Sequence, residues 1–600
     1  MGQLMINFAR RSRTYFAIGS VILAAFATSG TLGVLWQGRF AAIDKSAGET
    51  RKTGQEPLRS DTPNGGTPKK SPLAGETRET LVIGVMVPGG PNSAEIRRRT
   101  RFAVLAGLAR KGFEAKNASR MNYFLWPQPG GDKPPSTVPA QSESTVWDSN
   151  GSVRQSTPIP YEWFEEVSHR YPENKLVLVL WLNEDIFRGE PFQKLSGLER
   201  FLYGGERTGA AGSFKLLGPY SSNLLRDMVN ETRDFAYAPP YDRAFGQLAG
   251  RDTWPDLADA QFYAYGAAAA DELLLRDLPG TYGTVQRLFE ALGLHVQRTV
   301  ATERALARGL VGELKRRKVA GRKDADVVLI SEWGGNFSQS LPKAMEQALG
   351  HMRPGDRSRL RDGYTADWIH NLTYLPGLDG QLPDADLSAT SGSIEAPQGT
   401  TELDAANLFE LRSRAKILGS PMSQGQQDNV RRMSERLHEL DNDLRREKRA
   451  IRAIGVLGNN VFDKLLILRA LRPQFPDALF FTTDFDEALT RGTELAWTRN
   501  LIVSSSFGPT LHRSIQREIP DFRGTYQVSA FLATLLAIGN PAKNWTTPQA
   551  VLDSVSGQLL ISRIFEIERS GNVLSLGGDR LPLRVASPRD PALRQAGCGD

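Results

Sequence analysis

A Gly-Pro followed by paired hydroxyls, GPYSS at Gly218–Ser222, closes a short apolar run at Phe214–Leu217 and opens onto the helical pattern NLLRDM. Serine at a helix start has two uses. Its side-chain oxygen caps an otherwise unpaired backbone N–H. The remaining free N–H groups, at the positive end of the helix dipole, also form a ready anion site. Ser221 and Ser222 are therefore candidate contacts for an anionic group, with plain capping as the alternative.

Other chemistries find little support. VSSSFG (Val503–Gly508) lacks the first glycine of a G-x-S-x-G nucleophile turn and reads as a strand end. His512 comes soon after it, but no orienting acid completes a triad. GGERTGAAGSFK (Gly204–Lys215) superficially suggests a phosphate-cradling loop, yet no Gly-Lys-Ser/Thr stands at the required spacing. The six histidines (His169, His295, His351, His370, His438, His512) are scattered, and there is one cysteine, Cys598. They indicate neither a zinc site of familiar spacing nor an intramolecular disulfide. The reading is of a non-enzyme without metal or cofactor.

Charge is close to balanced. Lys and Arg number 74 against 67 Asp and Glu, a formal +7 with a pI near 9.3 over 600 residues. The basic runs RRRTR (Arg97–Arg101) and KRRK (Lys315–Lys318) sit within helical patterns as solvated faces, so no nucleic-acid partner is expected. A 40% apolar content suits a globular chain and is too low for a multi-span membrane protein.

The amino terminus carries Arg10, Arg11 and Arg13 before an uncharged stretch from Thr14 to Trp36. That length crosses a bilayer as a helix, and leading positive charge keeps residues 1–13 in the cytoplasm. AFA at Ala25–Ala27 offers a signal-peptidase site. The apolar run continues past it, which favours an uncleaved anchor in the cytoplasmic (inner) membrane, with the bulk of the chain periplasmic or otherwise extracytoplasmic. Residues 37–79 are rich in Pro, Gly, Lys, Glu and Thr and read as a disordered tether. Similar composition makes loops of Pro127–Thr157 and Asp379–Thr401.

From Leu81 onward apolar runs alternate with helical periodicity. LVIGVMVP, NYFLW, KLVLVLWL and FKLLGP read as strands, with SAEIRRRTRFAVLAGLARKG and YEWFEEVSHRY between them as helices. DADVVLISEW, HNLTYLPGL, AIRAIGVLG, DALFFTTDFD and TRNLIVSSSFG form a second series. Runs apolar on both faces and separated by helices indicate parallel sheets covered on both sides, and two series indicate two α/β lobes. Between the second and third strands of the second series, 425–449 is a charged helix. Its stripe of Met433, Leu437, Leu440 and Leu444 suits either packing on its own lobe or a short partner seam.

In this order the landmarks resemble the type I periplasmic binding-protein superfamily, which includes branched-chain amino-acid-binding proteins and receptor ligand-binding regions. LVIGVMVP resembles its first strand, FKLLGPYSSNLLRDM its Gly-Pro-x-Ser-Ser turn, and DADVVLISEWGGNFSQS the opening of its second lobe. IGVLGNNVFDKLLILRALR, ALFFTTD and NLIVSSSFG continue that lobe, and FRGTYQVSAFLATLLAIG resembles the helix that recrosses to the first. The resemblance spans about 80–580 and implies lobe 1 at 80–300, lobe 2 at 301–515, crossover helices at 516–558, a lobe 2 return at 559–580 and a tail at 581–600. It also implies a small-molecule ligand held between the lobes at the carboxyl ends of the strands, in agreement with the rule for open α/β sheets.

Ser221 and Ser222 then grip an anionic group. Facing them stand Glu332, Trp333, Tyr374, Asp484 and Asp486, where a carboxylate pairs with an ammonium and a ring covers a cation or apolar chain. Capping is the alternative for the two aspartates, and packing for Trp333. FAYAPPYD (Phe235–Asp242) stands where amino-acid binders carry Ser and Thr, leaving Tyr237 as its candidate, and EWGGNFSQS lacks the usual Tyr-Gly pair. A bulkier ligand than an amino acid, or none, is expected.

The leading expectation is a membrane-tethered extracytoplasmic binding protein, a sensor or capture module that passes hinge closure to a membrane signalling partner. The alternatives are a ligand-free interaction scaffold on the same fold and the released binding subunit of a transporter.

Overall fold

The computed structural model describes residues 71–576, apart from 91–92, 117–120, 128–143, 148–152, 168–174, 205–213, 234–256, 258–259, 279–281, 320, 334–339, 351, 354–365, 376, 379–420, 512 and 540–559. The segment 14–36, Tyr237 and His512 lie outside the described residues. Among the described residues no helix is long and apolar enough to cross a membrane.

The first sheet is built from β1 (Thr80–Val87), β2 (Phe113–Ala115), β3 (Asn122–Pro127), β4 (Ser144–Trp147), β5 (Val153–Glu166), β6 (Leu176–Asn183), β7 (Phe214–Leu217), β8 (Gln261–Ala264) and β9 (His295–Arg298). Its parallel part runs β6-β1-β7-β8-β9. The second comprises β10 (Ala325–Glu332), β11 (Ile369–Tyr374), β12 (Ala450–Leu457), β13 (Leu479–Thr483), β14 (Ile502–Ser505), β15 (Arg563–Ile567) and β16 (Val573–Ser575), with a parallel part β11-β10-β12-β13-β14. Counting only parallel strands, both sheets have the order 2-1-3-4-5, a doubly wound order that opens a crevice beyond the carboxyl ends of its strands.

Every residue of β1 is buried, as is all of β10 before Glu332, because helices cover both faces of each sheet. On the first, α1 (Ala94–Arg110) and a late helix pack one face, while α2 (Pro191–Tyr203), α3 (Ser222–Glu231) and α4 (Val285–Ala291) pack the other. On the second, α5 (Glu303–Arg316) and α6 (Ser340–Gly350) lie opposite α7 (Pro421–Arg446) and α8 (Val461–Leu471). The late helix, α9 (Thr525–Ile538), comes after β14 of the second sheet yet buries Val528, Phe531 and Ala537 with Leu81, Ile83 and Val85 of β1. The chain therefore crosses between lobes after β9, before α9, and again before β15, which pairs antiparallel with β14.

Three expectations need correction. YEWFEEVSHRY does not begin as a helix, since Tyr161–Glu166 ends the 14-residue β5, antiparallel to β6 with Tyr161 opposite Leu180 and Trp163 opposite Leu178. Its aromatic residues suit a pleated surface, and pairing with the otherwise bare edge of β6 overrides the helical spacing. The stretch 127–157 is not wholly loop, for it holds β4 and the start of β5. The sheets are also not wholly parallel, because β2 and β5 edge the first, and β15 and β16 the second, in antiparallel fashion.

Helix α7 is the connection between β11 and β12. Leu437 and Leu444 are buried, and Met433 and Leu440 pack against the same core, so its apolar stripe covers its own lobe.

Candidate functional site

The carboxyl ends of both sheets face the junction where the chain crosses. On the first lobe, β7 ends in Gly218-Pro219, and Tyr220 and Ser221 lead into α3. Ser221 is in extended conformation and its Oγ accepts from the Leu224 N–H at 3.2 Å, as an N-cap should. Its own N–H donates to Glu184 Oε2 at 3.0 Å. Glu184 stands just after β6, is almost wholly buried, and supplies a carboxylate at the α3 start. Burial pushes its pKa up, and the bonds from Ser221 oppose the rise. Ser222 Oγ accepts from the Ala269 N–H at 3.1 Å, tying α3 to the segment after β8.

That segment, YGAAAAD at Tyr265–Asp271, leads out of the carboxyl end of β8. The Tyr265 hydroxyl donates to the Met86 carbonyl at 2.6 Å. Its ring lies 5.5 Å from that of Tyr220, which meets the Tyr526 ring of α9 edge-on at 6.0 Å.

On the second lobe Asp484 takes the position after β13. Its φ is +59°, a left-handed conformation uncommon outside glycine, fixed by the Asp484 N–H donating to the Ser504 carbonyl at 2.8 Å. The carboxylate sits beside the Thr483 and Tyr526 hydroxyls, within the field of the buried Lys464. Burial raises its pKa, and Lys464 opposes the rise. Lys464 Nζ itself donates to the Thr483 carbonyl at 2.7 Å.

Glu303 stands in the first turn of α5, just past Thr302, whose Oγ1 caps that helix by accepting from the Ala305 N–H. Burial and the charge of Asp484 push the Glu303 carboxyl up to about 8, while Arg298 pulls it down. Arg298, at the end of β9, is held by the Ala269 carbonyl at 2.7 Å and by Asp271 at 3.1 Å. Glu303 Oε2 and Asp484 Oδ1 are buried without a hydrogen-bond partner. Leaving a buried polar group unpaired costs roughly 1–3 kcal/mol, so two such oxygens in one place mark a site incomplete by itself.

The remaining candidates divide. Asp486 caps its own turn by accepting from the Ala488 N–H at 2.9 Å and pairs with Arg99 of α1 at 2.5 Å, so its carboxylate clasps the two lobes together. Arg523 extends the clasp, meeting Glu95 of α1 at 3.2 Å and Glu487 at 3.7 Å. Glu332 Oε2 accepts from the Asn459 N–H at 2.9 Å, Tyr374 Oη is buried without a hydrogen-bond partner, and the Trp333 side chain is largely exposed. These three stand together because β10 and β11 pair Glu332 with Tyr374. Among the described residues no group of three or more His, Cys, Asp or Glu is placed to hold a metal ion.

Sequence reasoning missed Glu184, Tyr220, Tyr265, Arg298, Glu303 and Tyr526. Glu184 and Arg298 close strands, and attention to every strand end would have found them. Glu303 looks like an ordinary first-turn acid, and Tyr526 depends on a crossing no local pattern announces.

No family model matches the chain, and no curated protein does. Among solved structures it is similar to a solute-binding protein of an ABC transporter from R. palustris in complex with benzoate, at 8% identity over 83% of this chain and 96% of that one, with a TM-score of 0.37. It is similar also to an ABC transporter substrate-binding protein from Desulfitobacterium hafniense in complex with Leu, at 9% identity, 83% and 100% coverage and a TM-score of 0.35. A third is a fatty acid ABC transporter substrate-binding protein from Thermomonospora curvata, at 8%, 85%, 93% and 0.37. The pair of 2-1-3-4-5 sheets and the crossings between them, rather than these overlaps, make the chain a two-lobed α/β protein. The structures it is similar to are solute- and substrate-binding proteins of ABC transporters, at low identity.

Proposed function

We propose that the chain is an extracytoplasmic binding protein, tethered through 14–36, whose lobes close on a small organic cation. The observation that carries this reading is the pair of unpartnered buried carboxylate oxygens, Glu303 Oε2 and Asp484 Oδ1, at the interlobe junction. An ammonium or amidinium placed there supplies the missing donors, and Tyr220 and Tyr526 offer rings to cover it. Glu332, Trp333 and Tyr374 form the second-lobe rim that meets the rest of the ligand. The helix start at Ser221 receives Glu184 instead of an external anion, which argues against a free carboxylate on the ligand at that point. Binding would shift an open–closed equilibrium whose hinge is the set of crossings, and a membrane partner would read the closed state.

A ligand-free scaffold is the second reading. The Arg99–Asp486 clasp and the self-occupied helix start favour it.

A thermal-shift screen of the full chain in detergent, against small acids, amino acids and polyamine-like cations, separates the two. The expected result is a stabilising response confined to cations. It is lost in Asp484→Asn, where a charged hydrogen bond worth roughly 1.5–3 kcal/mol disappears. Ser221→Ala should keep the response while losing ~0.5–2 kcal/mol of stability with its cap. A chain that answers to no cation, or an Asp484→Asn variant that answers like the parent, returns the reading to a scaffold.

A further inference from the structure

The second lobe has a cavity at the opposite end of its sheet from the interlobe junction. It is about 640 Å³ and opens among the amino ends of β10, β12 and β13, the end of α5 and the end of α8. That volume is within the range of small-molecule sites, roughly 300–1,000 Å³. Five basic side chains line it against two acidic ones, Asp477 and Glu566.

The five do not play one role. Arg317 is fixed by Glu313 at 2.6 Å and Glu566 at 2.8 Å, and Arg322 by Asp324 at 2.6 Å. Those pairs hold the wall. Arg452 and Lys318 are exposed, and their side chains make no hydrogen bond or ion pair among the described residues. Arg472 is held by the Arg499 carbonyl and lies over the Phe480 ring at 4.9 Å, yet its Nη1 is buried without a hydrogen-bond partner. A prepositioned guanidinium with a spare donor, beside two exposed cations, is an incomplete anion site.

We infer that this cavity binds a small, multiply charged phosphoryl group through Arg472, Arg452 and Lys318. Guanidinium forks match phosphoryl oxygens, and a second point charge suits a compact polyanion. The lining's surplus of three positive charges fits a group with two to three negative charges better than a single carboxylate. The same chemistry is offered by a free oligophosphate and by a phosphomonoester lipid headgroup.

The test uses the full chain in neutral detergent, titrated by calorimetry with inorganic pyrophosphate and, separately, with short-chain phosphatidic acid. At least one of the two is expected to bind, more weakly at high salt, and the tighter of them names the source. The double variant Arg452→Gln with Lys318→Gln changes only exposed side chains and should lose tenfold or more in affinity. Asp484→Asn, at the other end of the sheet, should bind the anion as the parent does. If neither anion binds, or the double variant binds as tightly as the parent, the inference is overturned.

Discussion

Raising the pH from about 4.5 to about 8 should steadily destabilise the protein, and Glu303→Gln should remove much of that loss. The sign comes from linkage. The Glu303 carboxyl ionises near 4.5 in an ordinary environment and near 8 in the fold, where burial and Asp484 disfavour its charge. Between those values the folded state holds a proton that the unfolded state has released, so stability is full below the lower value and is lost as pH rises through the upper one. One such proton corresponds to about 1.4 kcal/mol per pH unit. Glu231, raised by burial to about 7, acts in the same direction, as do Asp484 and Glu184, so the Glu303→Gln variant keeps part of the slope. Urea unfolding at a series of pH values reads the slope directly. A parent whose stability is flat across this window, or a glutamine variant with the parent's slope, would show that Glu303 is not held neutral.

The second large effect is steric. Gly266 lies just past β8 where Tyr220 passes closest, and a Cβ on it would stand 2.5 Å from the Tyr220 carbonyl oxygen and 2.6 Å from its ring. The first of these is backbone, which cannot swing aside. Gly266→Ala must therefore push the Tyr220 turn away from β8, disturbing the Ser222–Ala269 bond and the Tyr220–Tyr265 contact together. Overpacking of this kind costs typically ~1–3 kcal/mol, and here the displaced tyrosine also borders the proposed ligand, so the response to cations should fall with the stability. A variant that melts and binds like the parent would mean that Tyr220 is not confined as described.

Legibility in the sequence tracks the range of the interactions involved. The buried runs of β1, β6 and β10 announce parallel strands because both of their faces are covered. The capping role of Ser221 is equally local, its partner being three residues away. The carboxyl that meets its N–H is Glu184, 37 residues earlier, and nothing near GPYSS points to it. Asp484 could be named from its strand end, but its neighbours could not. Glu303 is brought to it by the first crossing and Tyr526 by the second. Asp486, two residues on, is indistinguishable in sequence, yet it faces Arg99 of the other lobe and caps its own turn. The strand β5 escapes local reading because its partner edge, β6, settles a conformation that its own spacing leaves open.

Calorimetric titration of the full chain near pH 7 with the best cation from the screen, repeated in buffers of different ionisation enthalpy, tests directly whether Glu303 and Asp484 hold the cation. Burial and Asp484 raise the Glu303 carboxyl to about 8, and an adjacent positive charge favours its ionised form. Binding should therefore release a proton, and the release should fall in Glu303→Gln and binding itself should weaken at least tenfold in Asp484→Asn. Binding with no proton release, or unchanged in Asp484→Asn, would contradict a cation held by these two carboxylates.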